Sequence, residues 1–128
     1  AEVVQFYEVS VAFLALESPS CLALRAQHGL SRETLPLSSI ARHSVLRDLP
    51  IIIEDAWNDD DWKQDDLVRG PPALRFYAGA PIMVSPDHCA GSVVIMDERP
   101  RKDFKLGDCD VLVNAAKTIA DVCVALQE

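Results

Sequence analysis

The sequence has no run of apolar residues approaching the roughly 18–20 that a membrane span requires. Cations are in short supply: 12 Lys and Arg stand against 20 Asp and Glu, for a formal net charge of −8 and a pI near 4.7. A surface that acidic repels phosphate backbones and anionic head groups, so neither nucleic acid nor a membrane surface is an expected partner. The four cysteines, Cys21, Cys89, Cys109 and Cys123, form no C-x-x-C pair. That absence disfavours a disulfide scaffold or a zinc ribbon and points to free thiols in a reducing, cytoplasmic setting. There is no glycine-rich phosphate loop, no G-x-S-x-G elbow and no H-E-x-x-H pair, so no stand-alone catalytic apparatus is visible and the chain is not expected to be an enzyme. The opening Ala1-Glu2-Val3 has neither initiator Met nor signal-peptide character, and reads as an interior start of a longer protein.

What is present is a globular chain of 128 residues, 49% hydrophobic, enough for one core and therefore one domain over 1–128. Glu8 to Leu16 is β-rich and almost continuously apolar, which predicts a central strand covered on both faces. Turn residues Glu17-Ser18-Pro19-Ser20 then lead into a returning strand from Cys21 to Ala26. Ser38 or Ser39 caps a predicted short helix running to about Arg47, which Leu49-Pro50 ends. Ile51-Ile52-Ile53 predicts a short, fully buried strand. The polar stretch Glu54 to Asp66 predicts irregular chain with one or two helical turns. Arg75–Val84 and Gly91–Met96 predict a second hairpin, and the 3.6-residue apolar spacing from Asp108 to Leu126 predicts a C-terminal helix. The sum is an α+β plan, helices against a mostly antiparallel sheet.

The string Arg75-Phe76-Tyr77-Ala78-Gly79-Ala80-Pro81 resembles the central strand of many GAF domains, the sensory and regulatory modules of signalling proteins. Three further stretches agree in order: Ser39 to Leu46, Ile52 to Ala56, and Gly91 to Asp97 with Arg99-Pro100-Arg101 after it. Ala41 and Arg42 depart from the cysteine and alanine that often precede the family's histidine. The resemblance implies a GAF-like central antiparallel sheet of five to six strands with helices packed on it. It also implies a pocket on one face, and a module that binds a small ligand and relays the event to an attached output domain. A ligand-free dimerisation or protein-interaction module is the alternative, and a thiol-dependent methionine sulfoxide reductase, a branch of the same fold, is the third. Neither the ligand nor any cofactor is legible.

His43, Asp55, Arg75, Tyr77 and Gly79 are the candidate ligand-binding residues. A guanidinium offers a rigid fork of donors to an anion, a phenol a tunable donor, and an imidazole a pH-sensitive one. Against this stands a structural reading in which Arg75 and Asp55 simply pair to hold the irregular segment on the sheet. Gly79 and Pro81 read as a bulge or edge feature that shapes a pocket floor. Asp59 and Asp61 start a calcium-like pattern, but Lys63 occupies the next ligand position and no turn glycine follows, so caps and solvated acids explain the run better. His88-Cys89 supplies only two adjacent ligands of the four zinc needs, and no metal is expected. Asp97-Glu98 stands where the cyclic-nucleotide-binding branch of the family carries asparagine-lysine, which argues against a cyclic phosphate. On the C-terminal helix the apolar arc spans roughly 220°, against the ~100° that one core contact uses. Val113, Ala120 and Val124 form the surplus flank, which predicts a homodimer through this helix or a cover from the N-terminal segment.

Overall fold

The computed structural model describes residues 7, 9–30, 33–36, 50–69, 73–86, 88–101 and 104–127. Six strands, β1 (Val11–Glu17), β2 (Leu22–His28), β3 (Thr34–Leu35), β4 (Ile51–Ile53), β5 (Phe76–Ser85) and β6 (His88–Asp97), form one sheet in the order β3-β2-β1-β6-β5-β4. Every pairing is antiparallel. Two α-helices are described, α1 (Asp66–Arg69) and α2 (Asp110–Gln127), with short 3-10 turns at Ala56–Asn58 and Leu106–Cys109. The α+β class and the six-stranded count agree with the expectation. The predicted helix from Ser38 or Ser39 to Arg47 lies outside the described residues.

β1 and β6 are the two innermost strands, and their apolar runs follow from being covered on both sides. Their closest approach is made by glycine. A Cβ at Gly91 would fall 1.9 Å from the carbonyl oxygen of Ala15, so a side chain there would force β1 and β6 apart. At the far end of β2, Gly29 turns the chain with φ of +85°, a conformation open to glycine.

Three strand expectations need correction. β4 is not a fully buried strand: it is the last strand of the sheet among the described residues, with Ile51 and Ile52 half-buried and only Ile53 buried. A β-branched run reports strand propensity but not how many neighbours the strand has. β3, two residues long, was not anticipated, because no periodicity can be read over two positions. Gly79 sits in regular pairing between Ile51 and Val94, and the irregularity of β5 falls later, between Ile82 and Ser85. Pro81 lies beyond the last described β4 pairing, at Gly79, and is paired with Ser92 of β6 on its other side.

Strand alternation sorts the sheet into two cores. On one face Phe76, Ala78, Ala80, Ile82, Val93 and Ile95 meet Leu112, Ala116 and Ala120 of α2, with Tyr7 and Val9 beside them. Ala120 is therefore part of the sheet-facing row, 6% exposed, and not of the flank to which its spacing assigned it. Small residues at 116 and 120 let the helix axis settle against the sheet at that angle. On the other face Val11, Phe13, Ala15, Tyr77, Val94 and Met96 are covered by Ala56, Leu67, Val68 and Leu74 from the segment between β4 and β5, with Trp62 packed against them.

Candidate functional site

Asp55 lies two residues past the end of β4 and is the N-cap of the 3-10 turn Ala56–Asn58. In extended backbone, its carboxylate accepts from the Trp57 amide at 3.2 Å and so caps the turn. The same carboxylate takes both prongs of Arg75: Nε donates to Oδ1 at 3.0 Å and Nη2 to Oδ2 at 2.5 Å. The Arg75 guanidinium lies 4.2 Å from the centre of the Trp57 ring, and the indole Nε1 donates to the Val68 carbonyl at 3.0 Å. Main-chain bonds reinforce the join, from the Ala56 amide to the Arg75 carbonyl at 2.6 Å and from the Arg75 amide to the Asp97 carbonyl at 2.8 Å. The hydrogen bonds that Arg75 donates to Asp55 raise the guanidinium further above its already high pKa.

Arg75 and Asp55 thus form a bidentate pair that fastens the 54–69 segment to the sheet. The planar fork of Arg75 is engaged inside the protein and stacked on an aromatic face, which is the structural reading of these residues. Tyr77 and Gly79 continue the same face of β5 inward, Tyr77 fully buried and Gly79 buried. The four described candidates therefore fall into two settings, a polar clasp at the rim (Asp55, Arg75) and an interior wall (Tyr77, Gly79). His43 lies outside the described residues.

Asp97 corrects another expectation. It is 3% exposed and accepts from Arg101 Nη2 at 2.9 Å and from the Ser10 hydroxyl at 3.3 Å, with Arg99 at 3.7 Å. Its charge is compensated by cations, so it is not a free anion poised to repel a phosphate. The acids at 59–61 serve the turn: Asp59 Oδ1 accepts from the Asp61 amide at 2.9 Å, and Asp60 pairs with Lys63 at 3.1 Å. Among the described residues no three His, Cys, Asp or Glu side chains are grouped to hold a metal.

Cys21, Cys89 and Cys109 are free thiols; the side chain of Cys123 lies outside the described ones. Burial raises the pKa of Cys89, whose thiol donates to the Gly91 carbonyl at 3.0 Å. Burial, with Asp108 and Asp110 adding to it, pushes Cys109 up to about 11. Both environments hold the thiol protonated, the opposite of what a reactive cysteine requires.

Two constellations escaped the sequence reading. Trp57 stands in a polar stretch with no apolar period around it, and only its two-residue offset from Asp55 hints that the pair share a turn. Tyr7, 101 residues before Asp108, donates to that residue's carbonyl at 2.7 Å and accepts from the Leu112 amide at 3.2 Å. No local signal announces so distant a join.

A sheet of this order, with a long C-terminal helix on one face and short irregular elements on the other, is the GAF fold. The GAF domain of a phosphoenolpyruvate-protein phosphotransferase from Acinetobacter superposes with a TM-score of 0.77 at 19% identity, covering 98% of this chain and 77% of that one. The type II free methionine-R-sulfoxide reductase of Thermoplasma acidophilum superposes at 0.72 and 14% identity, covering 94% and 86%. A curated cyclic di-GMP phosphodiesterase of Pseudomonas aeruginosa is 26% identical over 120 residues, 93% of this chain and 20% of that protein's length. No protein-family model matches the chain. No described helix is long and apolar enough to cross a membrane.

Proposed function

We propose that this domain is a non-catalytic sensory and regulatory module. It takes a small ligand on the sheet face that carries Tyr77 and Gly79, beneath the segment clasped by Asp55 and Arg75, and relays occupancy to an attached output domain. The observation that carries the reading is the match to one fifth of a longer cyclic di-GMP phosphodiesterase, in a chain that has the GAF fold. A regulatory part of such an enzyme would raise or lower turnover in a neighbouring domain without touching the substrate itself. The clasp supplies the means: it joins the cover to β5 through one ion pair and a stacked ring, contacts that a ligand can rearrange. The protonated settings of Cys89 and Cys109 weigh against the thiol-dependent reductase chemistry that another protein of this fold performs.

A homodimer through α2 is the second reading, favoured by Val122, which is 53% exposed on that helix. In it, association itself is the signal. Tyr7 and Val9 already cover the sheet beside the start of α2, so the partner would lie over its later turns.

Thermal-shift screening against small metabolites, followed by native mass spectrometry, tests the first reading. A ligand should raise the melting temperature of the wild type, and Gly79→Val, which adds a branched side chain to the interior wall, should cancel that rise. Failure of every compound to shift the melting point would sink it. Sedimentation tests the second: a dimer that Val122→Asp converts to a folded monomer supports it, and a wild-type monomer at high concentration removes it.

A further inference from the structure

Trp57 and Val122 are the two large apolar side chains left exposed among the described residues, Trp57 at 48%. Trp57 is exposed yet immobilised. Its ring nitrogen is bonded to Val68, its amide to Asp55, and Arg75 lies over the ring. A side chain held this way has already lost the rotamer freedom that contact with a partner would otherwise remove, and Trp is the residue type most enriched where binding energy concentrates.

Beside this residue, along the outer strand β4, runs an open groove of about 390 Å³ lined by Ile52, Ile53, Glu54, Asp55, Asn58 and Asp59. Ile52 and Ile53 line it from opposite faces of β4, Ile53 buried, and Glu54, Asp55 and Asp59 make its rim acidic, with no Lys or Arg among the lining residues. Asp55 is engaged with Arg75, whereas the Glu54 side chain is exposed. The whole stretch 54–69 holds seven carboxylates against Lys63 and Arg69, so the field around the groove is negative.

We propose that this groove and Trp57 form one docking surface for a basic segment of a partner protein, in which Lys or Arg alternates with apolar residues. The aliphatic stems of such cations can lie along the half-buried Ile52, while their heads reach Glu54 and Asp59. Trp57 lines a neighbouring depression with Lys63, Gln64 and Arg69 and already carries the Arg75 guanidinium, so the indole takes an apolar side chain of the segment and not a further cation. Acidic segments are rejected by the same field, and so is this segment of a second copy of the chain, which bears the same charge. The surface lies outside the sheet interior, so it stands independently of the ligand reading.

The test is fluorescence anisotropy of a short labelled peptide of alternating lysine and leucine, with an alternating glutamate and leucine peptide as the comparison, on the full chain. Glu54→Lys/Asp59→Lys changes the groove. Glu33→Lys/Asp121→Lys makes the same change of net charge at exposed positions elsewhere. The groove pair should weaken binding of the basic peptide by about tenfold or more relative to the distant pair. Trp57→Ala should weaken it by about tenfold as well. Trp57→Phe, which keeps a ring over Arg75, and the single Glu54→Lys guard against local misfolding, and each should give a smaller loss in the same direction. Equal losses in the two charge-reversed pairs would mean diffuse attraction to an acidic protein and would overturn the proposal. So would equal binding of the acidic peptide, or no binding of the basic one to the wild type.

Discussion

The two faces of the sheet are covered by different chemistry. On the α2 face, one long helix lays Leu112, Ala116 and Ala120 on Phe76, Ala78, Ala80 and Ile82, and the contact is apolar throughout. On the opposite face the described cover is a 3-10 turn, a run of turns and a four-residue helix. Ala56, Leu67, Val68 and Leu74 anchor it by apolar contact, and the Asp55–Arg75–Trp57 clasp adds a polar join to the strand that the α2 face lacks among the described contacts. Apolar burial is non-directional and hard to switch off, whereas a charge-assisted pair depends on geometry, solvent access and the protonation of its partners. The helix face is suited to be a fixed platform and the clasped face to respond.

The sharpest way to break this contrast is to damage the platform. Leu112→Ala empties a fully buried position between helix and sheet, and should cost about 3 kcal/mol in urea denaturation. A loss under 1 kcal/mol would mean that the helix face is as loosely held as the other.

The platform has its own pH sensitivity, through Cys109 at the last residue of the 3-10 turn leading into α2. Its folded pKa, about 11, is raised above the ordinary value of 9.0. Above pH 9 the unfolded chain releases this proton while the folded chain retains it. Stability contributed by the neutral thiol is therefore complete below pH 9 and declines as pH rises toward 11. The decline should amount to about 3 kcal/mol at most. Cys109→Ala should flatten this limb of the stability profile, leaving the contributions of Cys89 and Tyr7, whose pKa values burial also raises. An unchanged slope in Cys109→Ala would assign the effect elsewhere.

The smallest expected effect on global stability, and the most informative about the contrast, comes from the clasp. Arg75→Lys keeps the charge but loses the two-pronged pair and the planar stack. The amides of 56–69 should exchange about tenfold faster with solvent deuterons while those of α2 hold their rates. Equal acceleration on both faces would show that the clasp is a load shared by the whole domain and not a local latch.

Much of this was legible in the chain itself. The apolar run of β1, the Ile51–Ile53 strand, the irregular stretch from Glu54 to Asp66 and the C-terminal helix each follow from local periodicity and propensity, which are properties of neighbouring residues. The pairing of Asp55 with Arg75 was legible as the structural reading, because buried charges are normally paired. Tertiary structure alone decided the rest. It made β4 the outermost strand among the described residues, turned α2 so that Ala120 faces the sheet, buried Asp97 against Arg101, stacked Arg75 on Trp57 and brought the Tyr7 hydroxyl to the Leu112 amide. Each of those outcomes depends on which elements become neighbours across tens of residues. Local sequence sets which way a chain bends and which side of it avoids water, but only the closed sheet determines what that side meets.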